Sequence, residues 1–163
     1  MEPDHVARIL EQWARERPDL DASPIGVIGR LHRLADALAI ELRTVFEEYG
    51  MTTTDFDVLA SLRRSGAPYS LTPGELGAST MLTSGAVTKR VDVLVARGLV
   101  TRSVREEDAR GRRITLTPAG VELIDRAVTA HIANEHRLLA GLSDLERTRL
   151  ARLLETLGRT LGV

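Results

Sequence analysis

Apolar residues recur every three or four positions along most of this chain, which is the period of an amphipathic helix. A first helix is expected from about Asp4 to Arg17, with Val6, Ile9, Leu10 and Trp13 as its apolar stripe. After a linker from Pro18 to Pro24, a second carries Ile25, Ile28, Leu31, Leu34, Leu38, Leu42, Val45 and Tyr49 and ends near Gly50. A third runs from about Thr54 to Arg64, with Phe56, Leu59, Ala60 and Leu62 as its apolar residues. Residues 65–71 read as a loop, Pro73 to Ser79 as a brief helix, and Ser84 to Arg97 as a helix stopped by Gly98, a favoured left-handed terminator. The period then changes to two. Val100, Arg102 and Val104, and later Arg112, Ile114 and Leu116, predict two short strands joined by the charged link 105–111. Long helices follow, from Pro118 to about Leu142 and from Asp144 to about Leu161.

Local punctuation supports these boundaries. Ser23-Pro24, Thr72-Pro73 and Thr117-Pro118 each offer a capping hydroxyl before a proline that has no N–H to leave unsatisfied. Thr72 with Glu75, and Ser143 with Glu146, have capping-box spacing. Three helices, a strand, a charged turn and a strand make a winged helix-turn-helix. The expected fold is therefore mainly α with a small β-wing, flanked by extra N- and C-terminal helices. Three regions are expected: 1–50, 51–117 and 118–163. Leu145, Leu150, Leu153, Leu154, Leu157 and Leu161 give the last helix more apolar surface than one small domain can cover, so these flanking helices are expected to dimerise.

Composition narrows the function. With five aromatics in 163 residues, the core must be aliphatic. There is no cysteine, hence no disulfide framework, thiol switch or thiolate zinc site. No apolar run approaches the ~18 residues of a membrane span, and the N-terminus lacks a secretory layout, so a cytoplasmic protein is expected. His5, His32, His131 and His136 form no metal-ligand set, and no phosphate loop or nucleophile motif occurs. Neither an enzyme nor a cofactor or metal is expected.

Net charge is −1, yet residues 83–113 hold eight basic against four acidic side chains. Nucleic acid needs one positive face, not a positive protein. On the helix from Ser84, successive residues turn by about 100°, so Val87, Val91 and Leu94 share one face and Ser84, Gly85, Thr88, Lys89 and Asp92 another. The second face is small and polar at its start. It suits close approach to base edges in a major groove, with hydroxyls and Lys89 as donors. In the wing, Arg110 suits a minor groove, Asp108 can brace it, and Arg112 adds positive charge. A winged helix can also be a protein-binding module, but that use would call for an apolar recognition face.

The segments Leu82-Thr83-Ser84-Gly85-Ala86-Val87-Thr88-Lys89-Arg90, Gly98-Leu99-Val100-Thr101-Arg102 and Asp108-Ala109-Arg110-Gly111-Arg112-Arg113-Ile114-Thr115-Leu116-Thr117-Pro118-Ala119-Gly120 resemble the MarR (multiple antibiotic resistance regulator) family. The resemblance spans nearly the whole chain. It implies a homodimer on a palindromic double-stranded DNA operator, most often a repressor, with intertwined terminal helices. The sequence is also similar to the urate-responsive branch, which has a tryptophan in an extra N-terminal helix, an aspartate before the helix-turn-helix and an arginine in the recognition helix. Trp13, Asp57 and Arg90 match these, and Arg102 resembles a fourth member. The implied ligand is a small aromatic anion such as urate or a related purine. In that reading Asp57 holds Arg90 until the ligand arrives. Each residue also has a structural explanation: Trp13 as core, Asp57 as the capping-box acid of Thr54, and Arg90 as a partner of Asp57 or of a phosphate. A constitutive DNA binder and a sensor of phenolic compounds stay open.

Overall fold

The computed structural model describes residues 2–80, 84–103 and 112–162. The chain divides into two compact units, Met1–Thr44 and Val45–Val163.

The first unit contains α1 (His5–Glu16) and most of α2 (Ser23–Glu48). Asp4 caps α1 by accepting the Ala7 N–H at 2.7 Å, and the same carboxylate takes a bidentate bond from Arg30 of α2 at 2.7 and 2.9 Å. The Arg30 guanidinium is the main reason the Asp4 carboxyl sits below the usual carboxylate range. Val6 is buried where α2 presents Gly29, at which an added Cβ would meet a Val6 methyl at an ordinary contact distance of 3.4 Å. Ser23 is the first residue of α2 rather than its cap, and Asp21 accepts its N–H at 3.0 Å.

The second unit contains α3 (Thr53–Arg64), β1 (Ser70–Leu71), α4 (Pro73–Ser79), α5 (Ser84–Ala96), β2 (Val100–Ser103), β3 (Arg113–Leu116), α6 (Pro118–Leu138) and α7 (Asp144–Leu161). The sheet is antiparallel in the order β1-β3-β2, pairing Leu71 with Ile114 and Val100 with Leu116. Its core joins Val58, Leu59 and Leu62 of α3, Leu76 of α4, Val87, Val91 and Leu94 of α5, Ile114 of β3, and Ile124 and Ala127 of α6. At the end of α2, Phe46 stacks on Phe56 at 4.2 Å, and His131 packs beside both rings.

The caps expected at Thr72, Thr117 and Ser143 all form, two of them as full capping boxes with Glu75 and Glu146. Hydrogen bonds from Thr72 and Ser143 hold both glutamates below their ordinary pKa. These caps therefore contribute at neutral pH and weaken on acidification through the carboxylate range.

Other boundaries also differ from expectation. Residues 70 and 71 form strand β1 instead of loop, anchored where the Leu116 N–H donates to Tyr69 O at 3.1 Å. Two residues are too few to show a period. Helix α6 stops at Leu138, its last turn closed by bonds from Leu139 and Ala140 back to Glu135 and Arg137. Helix α3 begins a residue early, because its cap is Thr52.

Candidate nucleic-acid interface

The helix-turn-helix is α4 and α5, and both are clamped to α3. Leu76 buries α4. The Ser79 carbonyl at its end accepts from the Ser61 hydroxyl at 3.2 Å and from the Arg64 guanidinium. Burial of Val87, Val91 and Leu94 turns the opposite side of α5 outward. Gly85, Thr88, Lys89 and Asp92 are exposed, as the helical wheel requires. Lys89 has no ion-pair partner among the described residues. Asp92 pairs with Arg102 of β2 at 2.8 Å, joining the recognition face to the base of the wing. Arg112 is exposed just before β3. Asp108, Arg110 and the Ser84 side chain lie outside the described residues.

The residues singled out for a ligand fall as follows. Trp13 belongs to the first unit and is 44% exposed, so within one chain it is not core. Asp57 is half-buried on α3. Arg102 goes to Asp92. Arg90 turns away from the exposed face of α5 and meets a carboxylate, but its ion pair is made with Asp55 at 3.3 Å, where the sequence reading expected Asp57. The displaced helix start explains the correction. Thr52 caps α3, so the acid of the capping box is Asp55, which accepts from the Thr52 N–H and hydroxyl at 2.9 Å each.

Asp55 is the residue sequence reasoning missed. Its side chain is 3% exposed, and Arg97, immediately after α5, reaches its other oxygen at 3.6 Å. Arg97 also donates to Gly50 O at 2.9 Å. A buried carboxylate is tolerated only when its oxygens are satisfied. Here two backbone-proximal donors and two guanidiniums satisfy it. The signal was present as a Thr-x-x-Asp spacing at Thr52.

A family model described as "MarR family" matches residues 49–113, from just after α2 to the first residue of β3. The HTH-type transcriptional regulator PecS of Dickeya dadantii is 40% identical over 149 residues, covering 91% of this chain and 90% of that protein. The chain belongs to the MarR family of transcriptional regulators.

Solved structures agree with the fold. Sco5413, a MarR family regulator from Streptomyces coelicolor, superposes with a TM-score of 0.73 at 24% identity, over 87% of this chain and 97% of that one. BpsR of Bordetella bronchiseptica, whose DNA binding is regulated by 6-hydroxynicotinic acid, gives 0.71 at 24% identity over 82% and 98%. Like other MarR regulators, this chain is a DNA-binding protein built on a winged helix-turn-helix. Among the described residues, no helix is long and apolar enough to cross a membrane.

Proposed function

We propose that this MarR regulator is a ligand-responsive repressor that binds a palindromic operator as a homodimer. The observation that carries the reading is the asymmetry of α5: three aliphatic side chains buried, and Gly85, Thr88 and Lys89 presented together on the outside. Ser84, Gly85, Thr88 and Lys89 would enter a major groove. Asp108, Arg110 and Arg112 would serve an adjacent minor groove.

Operator selection and salt titration test this assignment. Lys89→Ala should weaken operator and unrelated DNA alike and lower the salt-dependence slope by about one phosphate contact. Thr88→Ala should instead change base preference, costing about 1–3 kcal/mol on the preferred site. If neither variant affects binding, α5 does not face DNA.

The proposed inducer is a flat aromatic anion, with urate or a related purine as the first probe. Arg90 and Arg102 are the cations it would engage, drawing Arg90 from its carboxylate and so moving α5. Regulation of BpsR by a flat aromatic acid supports that chemical class. A tenfold loss of DNA affinity needs only about 1.4 kcal/mol of preference for one state over the other. Urate should release the protein from its operator in gel shifts, and Arg90→Ala should abolish release while keeping part of the DNA binding. If urate and its purine relatives neither bind nor release DNA, the regulator does not sense purines.

A further inference from the structure

We infer that Asp55 is the positioning residue that sets operator specificity, by holding the recognition helix to α3 at two points. This rests on the proposal that α5 reads DNA. Arg90 and Arg97 are seven residues apart, about two helical turns. Their guanidiniums nevertheless converge on the two oxygens of one buried carboxylate, at 3.3 and 3.6 Å. The apolar packing of Val87, Val91 and Leu94 is non-directional, whereas two charged anchors two turns apart restrain both the rotation and the tilt of α5. The carboxylate is itself fixed, because the Thr52 N–H and hydroxyl hold it in the first turn of α3. The position of the base-reading face is thus tied to α3 by the Asp55 carboxylate in addition to the packing of Val87, Val91 and Leu94.

Asp55 also decides which positive charges the recognition element offers. It neutralises Arg90 and Arg97 and leaves Lys89 as the cation of this segment without an acidic partner among the described residues. Losing the carboxylate would loosen the helix that reads bases and release two guanidiniums that bind any phosphate. Operator affinity would fall and affinity for unrelated DNA would rise, because phosphate contacts carry no sequence information. The ratio between them is therefore the quantity to measure.

The test compares binding of the full-length protein to its operator and to a scrambled duplex of equal length at one salt concentration. Asp55→Asn keeps an oxygen for the Thr52 cap but removes the charge. It should lower the operator-to-scrambled affinity ratio about tenfold or more. Asp55→Glu, which suits the same capping position and restores the charge, should recover most of it. Should Asp55→Asn fail to fold, Arg97→Gln removes one anchor from a partly exposed site and should lower the ratio in the same direction. An unchanged ratio, with only a lower melting temperature, would make Asp55 a stabilising residue and overturn the inference. Thr88→Ala on the same two duplexes separates the failures. If it lowers the ratio while the Asp55 variant does not, the reading of α5 stands and only the role of Asp55 falls.

Discussion

Gly120→Ala is expected to destabilise the second unit by about 3 kcal/mol or more, towards the upper end for an overpacked core position. A Cβ at residue 120 would lie 2.1 Å from the Leu99 carbonyl oxygen, 3.1 Å from its carbon and 3.2 Å from a Leu116 methyl. The first two are backbone atoms, which no rotamer change can move. That carbonyl also accepts the Thr117 N–H at 3.1 Å, and the Thr117 hydroxyl in turn accepts the Gly120 N–H at 3.0 Å to cap α6. To admit a methyl, α6 must withdraw from the start of the wing, breaking its own cap or the bond to Leu99. Domains of this size hold only about 5–15 kcal/mol in reserve, so the urea midpoint should fall by on the order of 1 M or more. Gly77→Ala is the control. It is helical, meets nothing within 4 Å, and should be neutral or slightly stabilising. A midpoint unchanged by Gly120→Ala would mean that α6 is free to shift away from Leu99.

Loss of the proposed dimer should have the largest effect on DNA binding. No residue of α7 is buried, and Leu145, Leu153 and Leu161 are 62, 69 and 68% exposed. Leu150 and Leu154 complete a stripe at helical spacing that a single copy of the chain leaves uncovered. Burying a leucine fully contributes about 1.5–3 kcal/mol, so a second copy covering this stripe would gain on the order of 10 kcal/mol before association costs. Ending the chain at Gly141 should yield monomer or insoluble protein. Leu153→Glu is the cleaner probe. In one isolated chain that side chain is solvated, so the substitution should hardly change monomer stability. At an interface it would bury a charge. Light scattering should show a lower mass, and operator affinity should drop on the order of a hundredfold or more, because one winged helix reads half of a two-fold site. A soluble dimer of normal affinity after removal of residues 142–163 would overturn this assignment.

Much of this fold depends on interactions between neighbours in sequence, and those features are legible in the sequence. Thr72 with Glu75, Ser143 with Glu146 and Thr117 with Pro118 each complete a cap within three residues, so reading them needs no knowledge of the rest of the chain. Gly98 takes a positive φ of 70° at the end of α5, as its place after the apolar stripe implies. The outward face of α5 follows from its period, because burying Val87, Val91 and Leu94 leaves no other direction for Thr88 and Lys89.

What lay beyond the sequence depends on distant partners. The run Thr52-Thr53-Thr54-Asp55-Phe56-Asp57 offers two equally good capping boxes, Thr52 with Asp55 and Thr54 with Asp57. Nothing local separates them. The tertiary structure selects the first, because α5 brings Arg90 and Arg97, 35 and 42 residues along the chain, onto that one carboxylate and away from water. In the same way β1 exists only because β3 lies beside it, and Gly120 is required only because Leu99 comes within reach of α6. Local hydrogen bonding decided where α4, α6 and α7 begin and the apolar period decided which way α5 faces, whereas long-range charge pairing decided which aspartate caps α3 and holds α5.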